Sequence, residues 1–375
     1  MNVTVSGDGF FLRRYRGLLP KLTGERLSAT SLPSGHLGHL LPIRVVGRLV
    51  RGTVLEPPFG RWISSFDRRA LGFTIRSRQC ERQIYRLTDR PDFVLHVFGS
   101  FVPFNSLSTI PYGMYLDYTM ALAKREWPPW ASFRSAAECD RWLAVERQAY
   151  QRAACLFTMG DRTRRSVIED YGIDPDRVTV VGSAADFDEP FRHEKAFGTG
   201  RILFQGSEWE RKGGDLLLDA FRIVRSDRPD ATLWIVGTDR EIDEPGVTVL
   251  GTVSRDKMTD LYLASDLVVA PARCDPFTAF VIEAMNYGVP CVVTAASGIS
   301  DVLTDGVDAA IVASLDPAEI ARRTLELLGS QDRLAAVSSA ARQTVSRHMN
   351  WQAVAAAMAP AIRQAVQAKS QATNP

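Results

Sequence analysis

Short apolar, β-branched runs recur along the chain, and between them lie longer stretches whose apolar positions keep helical spacing. In the first half, residues 2–6, 93–98, 113–117, 155–159 and 178–181 are predicted strands. Helices are predicted over 137–154, with an apolar stripe through Trp142, Val145 and Tyr150, and over 161–171, closed by Gly172. In the second half, strands are expected over 201–206, 231–237, 247–253, 267–271 and 289–294. The helices between them cover 215–226, the turns around Leu261 and Tyr262, and 278–287 with Gly288 as its cap; a further one runs from Trp351 to residue 366. Runs such as Leu267-Val268-Val269-Ala270 are apolar on both faces, which is the pattern of a strand buried in a parallel sheet. Strand–helix alternation of this kind predicts an α/β fold.

The chain's 375 residues are enough for two domains of ordinary size, each with its own core. The hinge is expected near residues 182–189, dividing the chain into 1–185, 186–350, a helix over 351–366 and a polar tail over 367–375 expected to be disordered. A hydrophobic content of 45% and a charged content of 23% describe a globular protein. No run reaches the length needed to span a bilayer and the N-terminus lacks a signal-peptide pattern, so a cytoplasmic location is expected. The five cysteines, at 80, 139, 155, 274 and 291, lack paired spacing, so neither a disulfide framework nor a metal site is indicated.

Charge is divided unevenly. Residues 1–185 carry a net +9 and residues 186–375 a net −7, with 16 basic against 6 acidic residues in the first 90. A basic first half suits anionic lipid headgroups, a phosphorylated acceptor or a polyanionic glycan. The segment 37–66 mixes Arg44, Arg48, Arg51 and Arg61 with large apolar residues, which fits a peripheral membrane surface or a solvated face over a core helix. Nothing points to a nucleic-acid partner.

The densest chemistry lies in Cys274-Asp275-Pro276-Phe277-Thr278-Ala279-Phe280-Val281-Ile282-Glu283. It places one carboxylate in the loop after a predicted strand and a second, eight positions on, upon the following helix. Pro276 suits the start of that helix, and a strand end facing a helix N-terminus offers free N–H groups to a phosphate or diphosphate. Upstream, the strand 201–206 ends in Gly206 and is followed by Ser207-Glu208-Trp209-Glu210-Arg211-Lys212-Gly213-Gly214, two adjacent cations on a loop that enters a helix. Taken singly, these acids and cations read as caps and solvated surface charges. Joined in this order, they outline a nucleotide-sugar site.

These two blocks resemble the E-x7-E and G-R-x4-K-G signatures of retaining glycosyltransferases of the GT-B fold, family 4 type (glycosyl transferases group 1). The resemblance covers roughly residues 155–366 and implies two Rossmann-like domains with a donor cleft between them: an acceptor-side domain over 1–185 and a nucleotide-sugar-binding domain over 186–350, with the last helix returning to the first domain. It implies that Glu283 binds the ribose, that Asp275, in place of the first glutamate, holds donor-sugar hydroxyls, and that Lys212 neutralises the diphosphate. The family's arginine position is Ser207 here, and Arg211 is the natural replacement cation. Pro276, Phe277 and Thr278 stand where the family has Gly-Phe-Gly, so Phe277, Thr278 and Ala279 form an unusual donor loop. Gly206, Gly237 and Val253, at or after strand ends, are expected near the nucleotide, and Gly9, in the turn after the first strand, is expected to face the diphosphate from the other domain. Where the family usually has a histidine next to the reacting sugar, this chain has Asp117, read either as a sugar or acceptor contact or as a cap on the turn that follows. His96 reads as a core residue.

The resemblance thus implies transfer of a sugar, with retention, from a nucleoside diphosphate donor, UDP or GDP by expectation, to an acceptor hydroxyl on a glycan, lipid or natural product. It implies no cofactor and no metal. The competing reading is a catalytically inactive nucleotide-sugar-binding or scaffolding subunit; a GT-B epimerase or phosphorylase lacks the lysine or acid–histidine constellation it needs.

Overall fold

The structure, a computed structural model, describes residues 1–25, 27–34, 69–187, 191 and 194–373. The basic, apolar segment 37–66, together with His36, His39 and His193, lies outside the described residues. Contacts divide the chain into two compact units, Met1–Val181 with Val354–Pro375, and Gly182–Ala353.

The first unit is built on β1 (Asn2–Asp8), β2 (Ser28–Ser34), β3 (Phe93–Val97), β4 (Tyr112–Leu116), β5 (Cys155–Thr158) and β6 (Val178–Val180). They pair in parallel in the order β2-β1-β3-β4-β5-β6. β3 and β4 are buried at every position, as continuous apolar strands of a sheet covered on both faces must be. The helices Ala70–Tyr85 and Ala136–Arg152 contribute Phe73, Cys80 and Ile84, and Trp142, Ala149 and Tyr150, to the core against the sheet. His96 is fully buried, with its Nδ1 2.8 Å from the Ser6 hydroxyl. β2 carries no apolar run; it is a polar, largely exposed edge strand containing Pro33, a composition that edge strands accept and central ones do not.

The second unit holds β7 (Arg201–Gln205), β8 (Thr232–Val236), β9 (Val247–Gly251), β10 (Leu267–Ala270), β11 (Cys291–Thr294) and β12 (Ala310–Val312). Its parallel order is β12-β11-β10-β7-β8-β9. The chain adds β8 and β9 on one side of β7, then returns to lay β10 on the other. Connections to opposite sides leave the carboxyl ends of β7 and β10 as the switch point, where doubly wound sheets bind ligands. The helix after β10 spans Ala279–Asn286 and closes in the left-handed Gly288, with Gly288 N–H donating to the Met285 carbonyl and Val289 N–H to that of Ala284.

The last helix spans Trp351–Thr373, so the expectation of a disordered tail from residue 367 is corrected: helix continues through most of it. Gln, Ala and Lys are good helix formers, and no Gly or Pro interrupts residues 361–374. Among the described residues no helix is long and apolar enough to cross a membrane. All five cysteines are buried and none is bridged.

Candidate functional site

The site begins where β7 ends. Gly206 N–H still donates to the Val236 carbonyl, 2.8 Å away, and Ser207 lies against Gly237, which follows β8. Glu208 then takes a left-handed conformation (φ 54°, ψ 55°), uncommon for a residue with a side chain, and turns the chain into the short helix Trp209–Lys212. Gly213 (φ +75°) reverses it again, and a Cβ here would stand 2.0 Å from the Pro271 carbonyl oxygen. Only glycine lets the turn after β7 lie directly on the chain leaving β10.

Polar contacts lock the two loops together. Arg273 N–H donates to the Arg211 carbonyl at 2.8 Å, and its guanidinium donates to the Glu210 carbonyl at 2.8 Å and to both Asp215 oxygens at 2.7 and 2.5 Å. The Arg211 guanidinium is buried. It donates to the Cys274 carbonyl at 2.7 Å and to both Glu208 carboxylate oxygens at 2.9 and 2.6 Å, and its Nη1 lies 3.7 Å from Asp275 Oδ2. Burial works against the charge, but the hydrogen bonds of Glu208 and the negative charges of Asp275 and Glu208 outweigh it and hold the Arg211 pKa above its ordinary value. The same pair, through its hydrogen bonds, lowers the pKa of Glu208.

Lys212 reaches the carboxylate of Asp275 directly, Nζ on Oδ2. Asp275 is itself buried, and its carbonyl accepts from Gly298 N–H at 2.8 Å, which ties the loop after β11 to the same point. Lys212, Asp275, Thr278 and Ser297 line one small cavity with Phe204, Gln205, Ala270, Ala272 and Phe280. Ser297 is buried and its hydroxyl has no hydrogen-bond partner within the protein, so one polar group of the cavity is left for whatever enters it. Thr278 is the N-cap of the helix Ala279–Asn286 without a side-chain cap bond, and Phe277 is buried beside it.

Glu283, half-buried on that helix, accepts a hydrogen bond from the Tyr262 hydroxyl at 2.9 Å. Tyr262 stacks on Tyr287 with ring centroids 5.5 Å apart and planes at 15°, and burial, with the negative charge of Glu283, drives its pKa well up. The phenol therefore stays protonated and donates.

Of the residues singled out in the sequence, Gly206, Ser207, Gly237, Arg211, Lys212, Asp275, Phe277, Thr278, Ala279 and Glu283 all fall on the carboxyl-end loops of β7, β8 and β10 or on the helix they lead into. Val253 is half-buried after β9, one residue before the N-cap Ser254. Gly9 and Asp117 belong to the other unit. Gly9 opens the helix Gly9–Arg14 after β1, capped by Asp8, whose side chain accepts from Phe10 N–H at 2.9 Å and pairs with Arg76 at 3.0 Å. Asp117 follows β4, half-buried, with its carbonyl accepting from Thr163 at 2.7 Å. The cap of the next helix, Met120–Glu126, is Thr119 and not Asp117. Sequence reasoning missed Ser297, Tyr262 as the partner of Glu283, and the Arg273–Asp215 clamp. The only signal for the last was an arginine just after the apolar run of β10 and an acid just after the double glycine. Among the described residues no group of three His, Cys, Asp or Glu side chains is placed to hold a metal ion.

Residues 199–330, which contain this whole site, match the model of the glycosyl transferases group 1. Among curated proteins the chain is similar to D-inositol 3-phosphate glycosyltransferase 2 of Catenulispora acidiphila, 26% identical over 246 residues, 58% of this chain and 57% of that protein. The match thus spans little more than half of the relative's length. Among solved structures it is similar to a sucrose-phosphate synthase from Thermosynechococcus elongatus, with a TM-score of 0.66 at 13% identity over 98% of this chain and 100% of that one. A second is Anabaena HepE in complex with UDP and glucose, with a TM-score of 0.60 at 15% identity over 97% and 99% of the two chains. Residues 199–330 thus resemble the glycosyl transferases group 1, and the fold of the chain is that of the GT-B glycosyltransferases.

Proposed function

We propose that this protein transfers a sugar from a nucleoside diphosphate donor to an acceptor hydroxyl with retention of the anomeric configuration. The observation that carries the reading is the contact of Lys212 with Asp275 at the β7–β10 switch point, beside a cavity into which Ser297 turns an unpartnered hydroxyl. A cation and an acid held against each other at a ligand-binding edge suit a substrate with both an anionic and a polyhydroxyl end.

On this reading Lys212 leaves Asp275 for the diphosphate and stabilises the negative charge that builds on it as the sugar departs, with the N-terminus of the helix Ala279–Asn286 behind it. Asp275, released, accepts hydrogen bonds from donor-sugar hydroxyls. Glu283, aimed by Tyr262, accepts from the ribose. Arg211, with its donors turned to Glu208 and Cys274, acts by fixing the Asp275 loop more than by touching the phosphates. Gly206, Ser207, Gly237, Val253, Phe277 and Ala279 shape the nucleotide's bed. The leaving phosphate takes the acceptor proton, so no cofactor or metal enters the scheme. UDP and GDP sugars are the proposed donors; the likeness to a structure holding UDP supports the first.

The test is a thermal-shift panel of UDP-, GDP-, dTDP- and ADP-sugars on the wild type, Lys212→Ala and Glu283→Ala. Stabilisation by one nucleotide class, reduced in both variants, is the expected result, followed by donor turnover whose product keeps its anomeric configuration by NMR. Binding without turnover, over a broad acceptor panel, would replace the enzyme with the nucleotide-sugar-binding subunit. No stabilisation by any donor overturns the reading.

A further inference from the structure

The helix Ala70–Tyr85 turns Phe73, Ser77, Cys80 and Ile84 into the core of the first unit. Arg78, Arg82 and Arg86 recur every fourth position, stacked turn upon turn over about 12 Å of helix rise, and all three are exposed. None of them has an ion pair among the described residues. The helix holds one carboxylate, Glu81, and it is committed to Asn105 N–H and Ser106. The arginines border a groove with Ile75, Gln79 and Gln83, where the side-chain oxygens of both glutamines are buried without a hydrogen-bond partner.

Large apolar side chains stand on the same surface. Leu71 is 59% and Tyr85 44% exposed, and Leu107 on the neighbouring loop is 84% exposed. That loop is held to the helix by the Tyr85 hydroxyl, 3.1 Å from Ser108 Oγ, and Arg90 lies over the Tyr85 ring at 5.5 Å. A single soluble phosphate would engage one or two guanidinium groups and leave the leucines in water. A row of arginines flanked by exposed Leu and Tyr matches an anionic bilayer surface, where headgroup phosphates meet the guanidinium groups and the apolar side chains enter the headgroup–acyl boundary.

We propose that the outer face of the helix Ala70–Tyr85, with Arg86 and the Leu107 loop, docks this protein on membranes rich in anionic lipid. The proposal is independent of the donor site.

The experiment is co-sedimentation of the full chain with phosphatidylcholine vesicles, with and without one-third phosphatidylglycerol. The wild type is expected to bind only the anionic vesicles at about 0.05 M salt and to release at about 0.5 M. Replacing Arg78, Arg82 and Arg86 together by Gln should weaken binding roughly 100-fold. Circular dichroism melting reports whether that variant is folded. A second variant, Leu71→Ser with Leu107→Ser, keeps the arginines and the net charge and should also lose affinity for anionic vesicles, which a purely ionic contact with a soluble polyanion would not require. Failure of the wild type to bind anionic vesicles at low salt overturns the proposal. So does undiminished binding by the folded triple variant, or binding of inositol hexakisphosphate without binding of vesicles.

Discussion

Lys212 and Asp275 are 63 residues apart in the chain and in direct contact at the reversal point of the second sheet, with the Arg211 guanidinium 3.7 Å from the same carboxylate oxygen. Two cations thus share one oxygen of a buried acid, while Lys212 and Asp275 both still line the cavity. On the proposed function, donor binding exchanges this contact for others, and the exchange sets how tightly a diphosphate is held.

That exchange can be measured by removing the acid's charge. Asp275→Asn should release Lys212, so a nucleoside diphosphate without sugar binds several-fold more tightly by calorimetry. Sugar transfer should fall on the order of 100-fold, because the hydroxyl contacts are lost in the transition state. Weaker diphosphate binding by this variant would mean that Asp275 holds Lys212 in its working position and does not mask it.

Gly213→Ala tests the junction itself. The new Cβ would stand 2.0 Å from the Pro271 carbonyl oxygen in a left-handed residue, so either the turn after β7 or the exit from β10 has to move. A loss of about 2–4 kcal/mol in stability is expected from urea unfolding, with loss of the donor-induced thermal shift. An unchanged urea midpoint would show that the two loops are not packed as described.

Much of this site was legible in sequence because its parts are local. A strand, a glycine, a lysine before Gly213 and an acid before the first turn of a helix are each set by neighbouring residues, and so the positions of Lys212, Asp275 and Glu283 could be named in advance. What could not be read was which side chains meet. Arg211 and Lys212 are adjacent and equally basic in sequence; only the fold turns Arg211 onto Glu208 and Cys274 and leaves Lys212 facing the cavity. Ser297 gave no signal, because a serine before a glycine is an ordinary turn until a second loop closes over it. In the fold, β2 escaped because an edge strand needs no apolar run. The last helix outran its prediction because polar residues that favour helix resemble those of a disordered tail.

Tyr262→Phe tests the proposed ribose contact of Glu283. The phenol donates to Glu283 at 2.9 Å from within a stacked pair with Tyr287, so the substitution keeps the ring and removes the bond that aims the carboxylate. A hydrogen bond to a charged group is worth enough to raise the donor KM about tenfold. The kcat should change little, since ribose recognition is shared by ground and transition states. An equal fall in kcat with unchanged KM would place Glu283 in the chemical step instead.

The first unit carries a pH-dependent contact under the loop that follows β4. Glu146 is buried, accepts from Tyr150 at 2.8 Å, from Tyr171, and from Met120 N–H at 3.3 Å, and burial raises its pKa to about 7 against those hydrogen bonds. Because the folded pKa lies above the unfolded value near 4.5, the folded state holds the proton more tightly. Its contribution to stability is complete below that unfolded value and is lost as pH rises toward about 7, on the order of 3 kcal/mol over the window. Urea midpoints measured from about pH 5 to pH 8 should therefore fall more steeply for the wild type than for Glu146→Gln, whose neutral amide cannot titrate. Parallel slopes for the two proteins would mean that Glu146 is ionised throughout, held so by the two tyrosines and the Met120 N–H.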